Sequence, residues 1–506
     1  MGLYDFTFYD VINRNAICYR DKNAWFDVDD NRSLTFLQYQ EEVNKLAAGL
    51  QKFGIRKGDR IGILGKNSLE YFLLYGASAA LGAIVVPINW RLSADEVVYN
   101  LNDCTPRIVF VDEAYQEMIE VLKGKLPFVE YYFSLGSRGG HLSDFKTLLD
   151  HGVHFERPEL ANDDGFVIIY TAAVTGRPRG ALLSHDNVLC TNMHLDYSLN
   201  ITERDVHLNL LPLFHVAGLL MTTASFHVGA RTLNMKEFDA SKALEIIQEK
   251  KASIMLVFPP ILSSIIEQQE KSGMDIASLR AVTGLDAQGT IEKYQKITGG
   301  HFYCAYGQTE ASGIVTLGRY DERPGSAGKM LPLSEVRLID DYDRVVPTGQ
   351  VGEIAIRGPL VFKGYWNIDD DNAYTFREGW HHTGDLGSFD EGGFLWYEGR
   401  RAEKELIKPG GENVYPAEVE KVILEHGAVE ETVVIGVPDS QWGEAIKAIC
   451  VLKEGASLTE SELIEFVAAR IARYKKPKYV VFSTTLPKDE NGLIDRGEIK
   501  KIFVNE

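Results

Sequence analysis

Residues 170–180 read YTAAVTGRPRG. Gly176, Pro178 and Gly180 punctuate the stretch, and Arg177 and Arg179 give it positive charge. An apolar run, FVIIYT, leads into it and has the composition of a buried strand. A helical pattern, SHDNVLCTNMHL, leaves it from about Ser184. Glycines between a strand and a helix let the backbone approach a ligand and turn its N–H groups inward, as a phosphate requires. The stretch is not a GxxxxGK[ST] loop, because no Lys–Ser/Thr pair follows the glycines. Taken alone, it reads equally as an ordinary strand-to-helix turn with two surface arginines.

The same alternation runs outward from this point. RIGIL (60–64) is a short apolar strand, followed by the helix SLEYFLLYGASAALG, the strand AIVVPIN, a helix start at SADEVVYNL and the strand RIVFVD. HLNLLPLFH and ASIMLVFPP continue the series as strands. Strands and helices alternating at this spacing predict a parallel α/β sheet. After about residue 330 the texture changes to short β-type runs with Gly and Asp turns: SEVRLID, GEIAIRG, GFLWYEG and ELIKPGG. From about residue 415 a compact α+β unit follows, with AEVEKVILEH and ESELIEFVAARIARY helical and ETVVIGVPD and AIKAICVLK extended. The expected fold class is therefore α/β. A large N-terminal domain of α/β layers with a β-rich subdomain spans 1–404, and a small α+β C-terminal domain spans 405–506. The charged stretch RRAEKEL (400–406) marks the boundary.

A chain of 506 residues is too long for one core, so more than one domain is the default. Its net charge of −19 argues against wrapping nucleic acid by counterion release, but leaves room for an anion in a local basic pocket. Five scattered cysteines without CxxC spacing fit reduced thiols and argue against a disulfide framework or a zinc site. The start, MGLYDFTFYD, lacks the basic and apolar regions of a signal peptide. The longest apolar run, near 72–87, is broken by Gly76, Gly82 and Pro87 and reads as a buried helix and strand, not a membrane span. A cytoplasmic protein is expected.

Five further stretches decide between the two readings of 170–180. They are CAYGQTEAS (304–312), TGDLG (383–387), LIKPGGENVYP (406–416), RYKKP (473–477) and LPKDENGLIDR (486–496). In this order and at these distances, the set resembles the adenylate-forming superfamily of acyl-CoA synthetases, luciferases and peptide-synthetase adenylation domains. The resemblance covers nearly the whole chain, from GDRIGILGKNSLEYF at 58–72 onward. It implies an AMP-forming acyl-CoA synthetase, which turns a carboxylic acid and ATP into acyl-AMP and pyrophosphate and then passes the acyl group to CoA. It also implies Mg²⁺, and a small C-terminal domain that rotates about a hinge, here Glu405, between the two half-reactions.

The resemblance carries residue roles with it. YTAAVTGRPRG matches the family's phosphate loop, usually YTSGTTGxPKG; Thr171, Thr175, Gly176 and Gly180 remain, Arg179 stands for the lysine, and Ala172, Ala173 and Val174 replace Ser, Gly and Thr. Val174 is still counted in the nucleotide loop. Glu310 is implied as the Mg²⁺ ligand, Thr309 as the α-phosphate contact, Tyr306 as the ring stacked on adenine, and Gly307 as the gap beside the acyl carbonyl. Gly284 and Leu285, in TGLDA, fall where the family lines adenine and substrate. Asp385 is implied for the ribose hydroxyls, with Arg400 as the second ribose or phosphate contact and Arg401 as its rival. His215, in PLFHVAGL, is implied beside the acyl pocket. Gly410 and Gly411 are implied along the pantetheine path.

Two departures stand out. The phosphate loop has lost two hydroxyls and one glycine. In addition, PKDENGLIDR puts Leu493 where the family pattern PKTxxGKIxR has a lysine. Loss of one well-placed charged donor costs roughly 10²–10³ in rate at comparable sites. Compensation by another cation, slow adenylation, and a reaction run from acyl-CoA toward ATP all remain open. So do two other readings, a stand-alone enzyme loading a carrier protein and a non-catalytic nucleotide- or acyl-CoA-binding relative. His215, Val216, Leu219, Leu220, Leu285, Ser312 and Val315 make the expected acyl pocket mostly apolar, which favours a medium-chain, alicyclic or aromatic acid. Monomer and homodimer are both compatible with the sequence.

Overall fold

The apolar runs fold as strands and the amphipathic stretches as helices, much where the periodicity puts them. The computed structural model describes residues 2–136, 142–171, 177–400, 406–488 and 494–504. RIGIL is the strand Arg60–Leu64, AIVVPIN the strand Ile84–Ile88, and RIVFVD the strand Ile108–Val111. Among the described residues these join a seven-stranded sheet in the order Gly364–Tyr365, Arg179–Ser184, Gly165–Thr171, Ile84–Ile88, Arg60–Leu64, Ile108–Val111, Tyr131–Ser134.

The expected single parallel sheet is instead two mixed ones. Among the described residues a nine-stranded sheet holds Ile254–Val257, Ala281–Gly284 and His301–Tyr306 in parallel. Its other end is built by Asn23–Asp27, which pairs in parallel with Arg231–Asn234 and antiparallel with Arg32–Thr35. The stretch after the glycine turn is a second departure. RGALLS does not run straight into a helix; it returns as the strand Arg179–Ser184, antiparallel to Gly165–Thr171, with Thr171 opposite Arg179. Ala181 and Leu183 point to the buried side and earn the strand its place. Ser184 then caps the helix His185–Ser198, its hydroxyl accepting from Asn187 N.

Helices Leu69–Leu81 and Val216–His227 are buried along every residue, as helices without a polar face must be. They share one continuous core with strands of both sheets. Among the described residues a five-stranded sheet follows, including Gly352–Arg357, Trp380–Phe389 and Leu395–Arg400. The last unit has its own core of Val419, Ile423, Val434, Ile446, Leu463 and Val480 around the strands Val429–Asp439, Gly443–Leu452 and Tyr479–Phe482. Among the described residues no helix is long and apolar enough to cross a membrane.

One buried charge site has a measurable consequence. Asp196, on helix His185–Ser198, is buried, and among the described residues neither carboxyl oxygen has a hydrogen-bond partner. Burial pushes its pKa up to about 9, against the weaker pull of the Arg14 charge. The folded state therefore keeps a proton that the unfolded chain loses above about pH 4, and stability falls as pH rises toward about 9. Asp196→Asn, neutral throughout, is expected to raise the melting temperature near pH 8 and to leave it unchanged near pH 4. Equal shifts at both pH values would show that the carboxyl is not the source.

Candidate active site

The β-rich sheet sets the first charge pair. Strands Trp380–Phe389 and Leu395–Arg400 pair antiparallel with Asp385 directly opposite Arg400, so residues distant in sequence meet across two strands. Arg400 Nε lies 2.5 Å from Asp385 Oδ1, as a charge contact without hydrogen-bond alignment. Asp385 Oδ2 accepts from Tyr306 Oη at 2.8 Å and from Gln308 Nε2 at 3.0 Å. Arg400 also donates to Tyr415 Oη at 3.3 Å. Asp385 Oδ1 is buried beside the Arg400 guanidinium and has no aligned donor among the described residues. Tyr306 lies near-parallel to Tyr397, their ring centroids 6.0 Å apart.

The second carboxylate comes from the other end of YGQTE. Thr309 and Glu310 form a buried turn after strand His301–Tyr306. Glu310 Oε1 accepts from Thr171 Oγ1 at 3.2 Å and from Tyr365 Oη at 2.9 Å. Both donors are neutral hydroxyls. Among the described residues no group of three or more His, Cys, Asp or Glu could hold a metal. A single carboxylate suits Mg²⁺ arriving with a nucleotide, whose phosphates and waters complete an oxygen shell.

Arg179 stands beside this turn but is already engaged. It pairs with Asp371 at 2.8 Å and lies 4.0 Å above the Tyr365 ring. Its buried Nε has no hydrogen-bond partner among the described residues. Gly180 cannot carry a Cβ, which would meet Ile168 at 2.6 Å. Thr171 is the last described residue before the turn. Val174, Thr175 and Gly176, with Ala172 and Ala173, lie outside the described residues, as do Arg401, Glu405 and Leu493.

Two glycines shape the floor. Gly284 has φ +130°, and a Cβ there would stand 2.0 Å from the Val257 carbonyl. A Cβ on Gly307 would stand 2.1 Å from the Gly313 carbonyl. Leu285, next to Gly284, is 60% exposed and faces open space. Val216, Leu219, Leu220 and Val315 are buried, so the apolar set expected around an acyl chain is mostly inside the fold.

The C-terminal unit closes over this region. His215 caps helix Val216–His227, its Nδ1 accepting from Ala217 N at 3.2 Å, which assigns the proton of a neutral ring to Nε2. Burial lowers its pKa, so the ring is neutral at physiological pH, although the Glu412 charge pulls the other way. Arg91, after the strand Ile84–Ile88, pairs with Glu412 at 2.5 Å. Gly411 sits where a Cβ would touch Phe258 at 3.1 Å, and Gly410 where it would touch Trp442 at 2.8 Å. A small cavity of about 70 Å³ runs between the units, lined by Pro87, Thr171, His215, Thr309, Glu412 and Tyr474.

Lys408 was not singled out by the motifs. It reaches solvent yet is crowded by protein, 5.8 Å from the Tyr397 ring, and burial together with the Arg400 charge lowers its pKa. Gln308, Tyr365, Arg91 and Glu412 were missed likewise. Gln308, Lys408 and Glu412 lie inside quoted motifs; Tyr365, in FKGYW, and Arg91 carried no local signal.

Comparison with known proteins fits this geometry. Residues 12–366 match the AMP-binding enzyme family, and residues 418–493 match the AMP-binding enzyme C-terminal domain. The chain is 33% identical to the indoleacetate–CoA ligase of Aromatoleum aromaticum over 94% of both chains. It resembles the solved o-succinylbenzoate CoA synthetase of Bacillus subtilis bound with a product analogue, at 28% identity and TM-score 0.86, covering 98% of this chain and 99% of that one. It also resembles ATP-bound MatB of Rhodopseudomonas palustris, at 27% identity and TM-score 0.72 over 99% of both chains. The chain belongs to the AMP-binding enzyme family, as an AMP-forming acyl-CoA synthetase that uses ATP, Mg²⁺ and CoA.

Proposed function

We propose that this enzyme activates an apolar carboxylic acid of medium-chain, alicyclic or aromatic type and transfers its acyl group to CoA. The observation that carries the reading is the pair of buried carboxylates on one cleft. Asp385 is held by Tyr306, Gln308 and Arg400, and Glu310 accepts from the hydroxyls of Thr171 and Tyr365. In the first step a carboxylate oxygen of the acid attacks the α-phosphorus and pyrophosphate leaves. Asp385, with Arg400 behind it, holds the ribose. Thr309 faces the α-phosphate, and Gly284, Leu285 and Tyr306 bound the base. Gly307 leaves room for the acyl carbonyl. Glu310 would hold the Mg²⁺, which when bound would offset phosphate charge. Thr171, Arg179 and Gly180, with Val174, Thr175 and Gly176, form the phosphate loop.

In the second step the thiol sulfur attacks the acyl carbonyl, its proton leaves, and AMP departs. Neutral His215 shapes the wall of the acyl pocket, and Gly410 and Gly411 leave a path for the pantetheine arm. The hinge between domains 1–404 and 405–506 falls at Glu405. The acid class rests on the apolar composition of Val216, Leu219, Leu220 and Val315, the residues that the family resemblance places around the acyl chain. Among the described residues the cysteines are free, which supports a cytoplasmic enzyme.

The test is AMP release from Mg-ATP, CoA and a panel of short, medium-chain, alicyclic and aromatic acids, with the acyl-CoA identified by mass spectrometry. Turnover is expected with apolar acids and little with acetate. Leu493→Lys is expected to speed acyl-AMP formation by about tenfold or more, since a lysine there would supply a charged donor. Absence of acyl-CoA in either direction, despite AMP binding, would overturn the ligase reading.

A further inference from the structure

Two helices begin opposite each other across the boundary between the units. Ser93 caps helix Ala94–Cys104, and Glu96 completes the capping box, its Oε2 accepting from Ser93 N at 2.8 Å. In the C-terminal unit, helix Pro416–Leu424 follows Tyr415, whose N–H donates to Glu418 Oε1 at 3.1 Å. Lys475 stands between the two helix starts. Its Nζ donates to Glu96 Oε1 at 2.7 Å and to Glu418 Oε2 at 2.9 Å. Ala472 N donates to Glu96 Oε2 at 3.1 Å. The lysine side chain is 3% exposed. Burial pushes the Glu96 pKa up, but the Lys475 charge and its hydrogen bond pull it below the ordinary value, so Glu96 is held ionised.

The two carboxylates play different parts. Glu418 belongs to the same unit as Lys475 and moves with it. Glu96 belongs to the other unit, so rotation of the C-terminal unit must pull Lys475 and Ala472 away from it. Neither charge is orphaned by that motion. Lys475 keeps Glu418, and Glu96 keeps its helix cap and meets water. A buried ion pair that must open repeatedly needs such an arrangement, because removing one partner from a buried charge is otherwise strongly destabilising. The docked placement also brings Glu412 to Arg91 and Gly411 to Phe258, beside His215.

We propose that Glu96 is a positioning residue for acyl transfer: it captures Lys475 and docks the C-terminal unit with the Gly410–Gly411 loop against the acyl site. This rests on the ligase reading above. Glu96→Gln keeps an oxygen for Ser93 N and removes the charge that holds Lys475. The full-length variant is compared with wild type in two separated steps. These are acyl-AMP formation without CoA, read as pyrophosphate release, and a single turnover from preloaded acyl-AMP to CoA. Transfer is expected to fall by about tenfold or more, and acyl-AMP formation to stay within about twofold, as a shifted domain equilibrium requires. Small-angle scattering of the ligand-free variant is expected to show a more extended particle, at an unchanged melting temperature. Equal loss in both steps, or unchanged transfer, would overturn the proposal. Inactivity of wild type in both steps would overturn the ligase reading instead, and an unchanged scattering curve would then overturn the docking role as well.

Discussion

Glu310→Gln is expected to lower acyl-AMP formation by on the order of 10²-fold or more, with almost no change in melting temperature. The amide oxygen of Gln can still accept from Thr171 and Tyr365, so both hydrogen bonds at 3.2 and 2.9 Å survive. Only the charge is lost. Mg²⁺ takes oxygen ligands and prefers carboxylates. Raising Mg²⁺ is expected to restore part of the rate, because the variant weakens metal capture without removing the phosphate oxygens. Pyrophosphate release measured against Mg²⁺ concentration checks this. A variant with wild-type rate at low Mg²⁺ would take Glu310 out of the metal site.

Asp385→Asn is expected to act on both binding and stability. In the protein as it stands, Arg400 is a mostly buried cation whose neutralising partner is Asp385, on the neighbouring strand. The amide leaves that guanidinium without an anion. Breaking a buried pair by removing one partner costs about 3–5 kcal/mol. The same change halves what the site offers a ribose, since one acceptor oxygen becomes a donor. AMP affinity is therefore expected to fall by about 100-fold, on the order of two charged hydrogen bonds. Calorimetric titration with AMP and thermal melting read the two effects separately. Replacing Asp385 and Arg400 together, by Asn and Gln, is expected to recover much of the melting temperature and none of the affinity, because both charges then leave the interior at once. Recovery of affinity in the double variant would place the ribose elsewhere.

The motifs found the chemistry more readily than the layout. Strand–helix alternation located nearly every element around the cleft, because apolar runs bounded by Gly and Pro have few other uses in a core. It missed the strand Arg179–Ser184, whose alternation is blurred by a hairpin partner buried on both faces. It also missed the split into two sheets, since strand order depends on contacts such as Trp25 with Thr232 that no local pattern records. Asp385 and Glu310 were legible through the family resemblance, which carries their roles onto TGDLG and YGQTE. Their partners were not. Tyr365 reaches Glu310 from a strand that reads as surface filler, and Arg91 reaches Glu412 across the unit boundary. Lys475 was quoted inside RYKKP, but its role depends on Glu96, which nothing in the sequence brings near it.

The position of strand Asn23–Asp27 bears on how the protein is made. Asp27 accepts a hydrogen bond from Asn234, 207 residues later, and the strand is held in its sheet by Arg231–Asn234. At ribosomal speeds of about 5–20 residues per second, that partner emerges roughly 10–40 s after the strand does. During this interval Trp25 can already stack on Phe72, and helix Phe36–Lys52 can pack on helices Phe8–Cys18 and Leu69–Leu81, but the edge of Asn23–Asp27 that faces Arg231–Asn234 stays unpaired. That open strand edge is the part of the nascent chain a holding chaperone would cover, and slowing translation before residue 234 should lengthen its exposure and lower the soluble yield.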